Sequence, residues 1–160
     1  MTRLAITGHR SLSEATTALV DAALRSAISK RAEDGALVGL SCLADGADAL
    51  FARAILDYGG ALHVIVPARN YRDGLPDDHH TTYDALIAQA AAIVRLGHIE
   101  SDSDAHMDAS MHMLADADEL FAVWDGQPAR GHGGTADVVN AASDQGIPVT
   151  VVWPEGAVRD

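Results

Sequence analysis

Cysteine, basic side chains and long apolar runs are what this 160-residue chain has least of. The single cysteine, Cys42, excludes an internal disulfide, and its setting in "ALVGLSCLA" predicts a buried structural thiol rather than a nucleophile. No uninterrupted apolar span is long enough for a transmembrane helix. "MTRLAITGHRS" turns polar after a few residues, so no secretory leader is read there and a cytoplasmic location is expected. Basic residues number 11 against 23 acidic ones, a formal net charge of -12. That balance opposes the counterion release by which proteins gain affinity for DNA or RNA, so bulk nucleic-acid binding is not expected. A small anionic ligand stays open, because a few local arginines and backbone N–H groups hold one against an unfavourable overall field.

Metal-site patterns are also lacking: there is no HExxH and no Cys/His pairing, and neither metal nor cofactor is expected. Asp104, Asp108 and His112 do recur at helical spacing. The same spacing describes the solvated face opposite a stripe of Met107, Met111 and Leu114, which core packing explains. "DDHHTTYD" (77 to 84) reads as a hydrated loop.

What is present is an ordinary globular composition, 48% hydrophobic and 21% charged, at a length that fits one domain over residues 1–160. Short apolar runs alternate with amphipathic stretches, the pattern of an α/β fold with a mostly parallel sheet of about five or six strands. The strands are "RLAIT" (3 to 7), "ALVGLSC" (36 to 42), "ALHVIVP" (61 to 67), "ELFAVW" (119 to 124) and "IPVTVVW" (147 to 153), with 96 to 100 readable as strand or loop. The first helix starts at an N-capping Ser13, carries Ala18, Ala22, Leu24 and Ile28 as its apolar positions and is stopped by Gly35. A second is closed by Gly59-Gly60. Further helices are expected over about 81 to 95, 104 to 116 and 135 to 146. Residues 68 to 80 show no apolar period and read as a loop of mobile composition.

The unusual residues follow strands. "GHRS" (8 to 11), "LADGAD" (43 to 48), "PARN" (67 to 70) and "DGQPARGHGGT" (125 to 135) lie after the first, second, third and 119-to-124 strands, and in a parallel sheet these loops emerge at one edge, where open α/β sheets bind ligands. Each begins or closely precedes a helix, so several helix N-termini face a common crevice. Arg10, Arg69 and Arg130 are there to pair with phosphate or carboxylate.

Three blocks carry a resemblance: "ITGHRSLS", "LSCLADGADALFARAIL" and "ELFAVWDGQPARGHGGTADVVNAA" resemble the signature blocks of the SLOG superfamily, a Rossmann-like group that includes the DNA-processing protein A family and the LONELY GUY phosphoribohydrolases. The resemblance implies a three-layer Rossmann-like fold, a nucleotide or nucleotide-derived ligand, and homo-oligomerisation. The second block is similar to S-G-x-A-x-G-x-D, with Ser41, Ala44, Gly46 and Asp48 in matching places, but Cys42 stands where the DNA-processing family has glycine and Ala52 where it usually has histidine. The third block is similar to the P-G-G-x-G-T-x-x-E loop of the phosphoribohydrolases and to the related loop of nucleoside deoxyribosyltransferases. Where those enzymes carry a glutamate, three residues after Thr135, this chain has Val138; Asp137 comes one residue early, about 100° away on a helix.

The expected ligand-binding set is Gly8, His9, Arg10, Ser11, Ala44, Gly46, Asp48, Arg69, Asp125, Arg130, Gly131, Gly133, Gly134 and Thr135, with His132 flanking it. Phosphates are expected on the Gly8 to Ser11 and Gly131 to Thr135 loops, and Asp125 on ribose hydroxyls. Structural roles compete: Gly8 as a tight turn, Asp48 as a helix-start residue, Thr135 as an N-cap, and Asp137 as a first-turn acid. Binding or sensing is the leading reading. Cleavage or transfer at an N-glycosidic bond, with Asp125, Asp137 or Asp48 as the acid, is the alternative.

Overall fold

The computed structural model describes residues 1–129 and 134–159. In chain order the elements are β1 (Thr2–Gly8), α1 (Glu14–Ala32), β2 (Leu37–Ser41), α2 (Ala47–Asp57), β3 (Ala61–Ala68), α3 (His80–Ala88), β4 (Ala92–His98), α4 (Ser103–Asp116), β5 (Glu119–Val123), α5 (Thr135–Asp144) and β6 (Val149–Val151). The strands form one sheet in the order β4-β3-β2-β1-β5-β6. Every pairing is parallel.

Strand alternation separates two apolar layers. Leu4 and Ile6 of β1 and Phe121 and Val123 of β5 join Val20, Leu24 and Ile28 of α1 and Phe51 and Ile55 of α2. Ala5 and Leu120 belong to the other cluster, with Met113 and Leu114 of α4 and Val138 and Ala142 of α5. This is the three-layer α/β arrangement implied by the resemblance. Each fully buried Leu or Ile contributes roughly 1.5–3 kcal/mol.

Several sequence expectations need correction. The buried stripe of α1 is Thr16, Val20, Leu24 and Ile28, a strict four-residue spacing, while Ala18 and Ala22 are exposed. In α4 the inward residues are Ala105, Ala109, Ser110, Met113 and Leu114; Met107 is half-buried and Met111 exposed. Asp104, Asp108 and His112 are exposed, as a solvated face requires.

The expected helix over 81 to 95 ends at Ala88, and 92 to 98 form β4, paired with β3 from His63↔Ala92 onward. β4 is an edge strand whose first four residues are all exposed, so it lacks the buried alternation by which strands are read. Residues 68 to 80 are a packed connection with two short 3-10 turns, Arg72–Gly74 and Asp77–His79. Tyr71, Leu75 and His79 are buried there. His79 Nε2 lies 2.9 Å from the Leu43 carbonyl oxygen, and Arg72 grips Asp84 with two bonds of 2.8 Å. "DDHHTTYD" is thus partly core.

Candidate functional site

The sheet order reverses at β1: successive strands β2, β3 and β4 lie on one side, β5 and β6 on the other. The loops after β1 and β5 diverge at this switch point, and the crevice between them is the general ligand position in such sheets. A cavity of about 390 Å³ lies there, within the range that accommodates a small ligand. Its walls include Gly8 to Leu12 after β1, Cys42, Ala44 and Asp48 around β2 and α2, Gly134 and Thr135 at the start of α5, and Arg159 near the chain end.

Close backbone approach shapes one wall. A Cβ on Gly8 would lie 2.4 Å from Ala47 Cβ and 2.8 Å from Val123 Cβ, so glycine is what lets the end of β1 pass between α2 and β5. Gly46 has φ +84° and abuts the His9 carbonyl oxygen, where a Cβ would stand at 2.7 Å. Both glycines have packing reasons, and only Gly8 of the two lines the cavity.

The β1 loop is bound to the protein itself. His9 N–H donates to Val123 O (3.0 Å), and Ala47 N–H at the start of α2 donates to His9 O (3.2 Å). Asp45 accepts from Ser11 N–H (3.0 Å) and from Arg10 Nε (2.8 Å) and lies 3.4 Å from Ser11 Oγ. These bonds account for Ser11 holding φ +53°, a left-handed conformation that non-glycine residues seldom adopt. Burial raises the Asp45 pKa, but the Arg10 guanidinium and Ser11 N–H outweigh it and hold the carboxyl below its ordinary value. The N–H groups expected to receive a phosphate at His9 and Ser11 therefore already have acceptors. What this loop offers a ligand is the Arg10 side chain, 44% exposed at the cavity mouth.

The β2 loop forms the floor. Ser41 Oγ–H donates to Asp48 O (3.1 Å) and accepts from Leu43 N–H (3.0 Å), which stabilises Leu43 at φ +60°. Ala44 N–H donates to Asp48 Oδ2 (3.3 Å). Burial pushes the Asp48 carboxyl up to about 7, only partly opposed by Ala44 N–H and Arg10. Near neutrality Asp48 is therefore a carboxylic acid for much of the time, in a position that lines the cavity.

The remaining expected residues are placed as follows. Arg69 is exposed, donates its N–H to His98 O (2.8 Å) and does not line the cavity. Asp125 stands behind the wall: its Oδ1 accepts from Gln127 N–H (3.0 Å) and lies 3.2 Å from His9 Nε2, and Arg159 approaches Oδ2 at 3.9 Å. Burial raises its pKa, but the Gln127 N–H, His9 and Arg159 together leave it below the ordinary value. His9 is buried, with its ring edge-on to Trp153 at 5.5 Å. Asp137 is half-buried in the first turn of α5, and Val138 points into the core at 1% exposure. Of the three acids weighed for catalysis, only Asp48 is among the described residues lining the cavity. Arg130, Gly131, His132 and Gly133 lie outside the described residues.

Other lining residues were not legible in the sequence. Pro67 lies near the end of β3 and Tyr71 follows it, while His106, Ser110 and Met113 come from α4. The His106 ring is edge-on to Tyr71 at 5.7 Å and its Nε2 is 2.8 Å from Ser101 Oγ; burial, reinforced by Arg10, lowers its pKa. Val158 and Arg159 reach the cavity because Thr16 Oγ1 both accepts from Val158 N–H (3.0 Å) and donates to Val158 O (3.2 Å).

The fold is similar to that of several solved structures. DNA processing protein A from Helicobacter pylori superposes with a TM-score of 0.68 at 17% identity over 94% of this chain and 64% of that one. The Streptococcus pneumoniae protein gives 0.66 at 15% identity over 94% of this chain, which spans 50% of its length. A molybdenum cofactor binding protein from Rippkaea orientalis gives 0.59 at 14%, covering 94% of this chain and 75% of that one. The Rossmann-like architecture implied by the SLOG resemblance is the one observed. No protein-family model matches the chain, and no curated protein matches it.

Proposed function

We propose that the protein binds a nucleotide or nucleotide-derived small molecule in the cavity at the switch point between β1 and β5. The observation that carries this reading is the polarity of that cavity: an exposed guanidinium, Arg10, at its mouth and a recessed carboxyl, Asp48, on its floor. The start of α5, whose N-cap Gly134 contributes no side-chain hydrogen bond, adds a dipole that favours an anion. Proteins of the same fold include one studied for its single-stranded DNA binding mode and one that binds the molybdenum cofactor. The net charge of -12 favours a small ligand over a polynucleotide here. Thermal-shift and calorimetric titration with nucleoside mono- and diphosphates and ADP-ribose tests the proposal. Stabilisation by at least one of them, weakened at least tenfold in Arg10→Ala, is expected; no response to any of them refutes it. The homodimer implied by the resemblance is tested by sedimentation.

The Asp48 carboxyl also favours a second reading, cleavage or transfer at an N-glycosidic bond with Asp48 as the acid, since a carboxyl titrating near neutrality suits proton transfer. Release of free base from nucleoside 5′-monophosphates supports it, and unchanged nucleotide after long incubation leaves binding as the function.

A further inference from the structure

The floor of the cavity carries hydrogen-bonding capacity that the protein does not use. Asp48 Oδ2 takes the Ala44 N–H, while its other oxygen makes no hydrogen bond among the described residues. Tyr71 is 4% exposed and Ser110 9%, both line the cavity, and neither hydroxyl makes a hydrogen bond among the described residues. These three groups open onto the cavity without a hydrogen-bond partner among the described residues, so a ligand that displaces the water there can take up their hydrogen bonds. Ile6, Pro67 and Met113 supply apolar surface beside them. Among the described residues that line the cavity, the lysine or arginine side chains are Arg10 and Arg159. Arg10 and Arg159 belong to the β1 loop and the chain end.

We propose that this floor reads an uncharged heterocyclic ring: Asp48, Tyr71 and Ser110 donate hydrogen bonds to ring nitrogens or ring carbonyls of a ligand whose phosphate stays at the mouth beside Arg10. This rests on the nucleotide-binding reading and adds to it which end of the ligand goes inside. With Oδ2 taking the Ala44 N–H, the other Asp48 oxygen is the one left among the described residues to carry the proton and donate it to a ring acceptor. A phosphate in the same place would meet the Asp48 carboxyl and the Tyr71 phenol, with the nearby Arg10 charge already paired with Asp45. The groups that face Asp48 are Arg10 from the β1 loop, Asp45 from the loop before α2, the Cys42 thiol just after β2 and the Tyr71 phenol after β3, with the His106 imidazole of α4 on the same cavity. Burial pushes both the thiol and the phenol well up, so neither ionises in the range where Asp48 does.

The experiment compares two probes by calorimetry: the best-bound of the four common nucleoside 5′-monophosphates, and ribose 5-phosphate. Both carry a phosphate monoester, so their affinity ratio isolates the ring. The wild-type protein is expected to prefer the nucleotide at least tenfold at pH 6, with the preference falling as pH rises past about 7, where Asp48 loses its proton. Asp48→Asn keeps a donor, through its amide, and is expected to keep the preference while removing its pH dependence. Asp48→Leu is expected to bring the nucleotide down to the level of ribose 5-phosphate and leave ribose 5-phosphate unchanged. A preference that survives in Asp48→Leu, or one that titrates in Asp48→Asn as in wild type, overturns the proposal. Should Asp48→Leu not fold, the Asp48→Asn pH profile decides alone. If the wild-type protein binds ribose 5-phosphate and nucleotides equally, ring reading fails while phosphate binding stands. If it binds no nucleotide, the underlying function fails with it.

Discussion

Replacing Asp48 by Asn should change how folding stability depends on pH, in a direction opposite to that of most carboxylates. In the folded protein the Asp48 carboxyl titrates at about 7, against 3.8 for an ordinary aspartate. Below 3.8 both folded and unfolded chains hold the proton, and its contribution to stability is fully present. Between these values only the folded chain holds it, so stability falls by about 1.4 kcal/mol for each pH unit. Above about 7 the loss is complete, at roughly 4 kcal/mol. Water entering from the cavity screens the charged form, so that figure is an upper bound, and half of it is easily measured. The assay is urea unfolding of wild type and Asp48→Asn at intervals from pH 4.5 to 8.5, read as the stability difference between them. Other titrations, such as those of Asp45, Asp125 and His106, are shared by both proteins and cancel. Asp48→Asn should gain on wild type steadily up to pH 7 and then hold a constant lead. A difference independent of pH across this range would refute the reasoning, because it would mean Asp48 is ionised and solvated in the folded state throughout.

Asp45→Ala removes the carboxylate that orders Ser11 and Arg10 and should cost about 1–3 kcal/mol by chemical denaturation. Because the Asp45 pKa is lowered on folding, the wild-type advantage over this variant should be present above pH 4 and shrink as acid protonates the carboxyl. Gly8→Ala forces a methyl against Ala47 and Val123 and should lose about 1–3 kcal/mol or more, seen as a fall in Tm; an unchanged Tm would contradict the close approach. Thr16→Val deletes both bonds to Val158 at a cost of about 1 kcal/mol, and limited proteolysis should then trim the chain end faster than in wild type.

The interior strands and the helices after β1 and β2 were legible because burial imprints itself on sequence. "RLAIT" and "ELFAVW" are apolar on both faces, as strands covered by helices on both sides must be. β4 was not legible, because as an exposed edge it is specified by pairing with β3 and by no pattern of its own, and "AQAAAIV" continues the apolar content of α3 without a break. At the site, Gly8, Arg10, Ser11, Ala44 and Asp48 could be read because residues following parallel strands must share an edge. His106, Ser110 and Met113 could not, since α4 reaches the cavity only because the chain must return from β4 at one edge to β5 beside β1. Nothing local in "SDAHMDASMHM" records that crossing. Arg159 was missed for a similar reason: its place depends on the Thr16 bonds, 142 residues distant at Val158. Arg69 sits on the expected edge, between Pro67 and Tyr71 that line the cavity, yet its own side chain is exposed and does not.

The Asp45 carboxylate bears on which anions the protein ignores. With its oxygens on Arg10 and Ser11, it sits where a small free anion would otherwise lodge. An incoming phosphate must share a guanidinium that is already paired with Asp45, so a bare ion gains less there than at an unpaired arginine. Inorganic phosphate and chloride, abundant in any cell, would meet there a resident competitor that never diffuses away. A ligand that also makes contacts deeper in the cavity can prevail, and the protein would then respond to whole molecules and stay silent to bare ions.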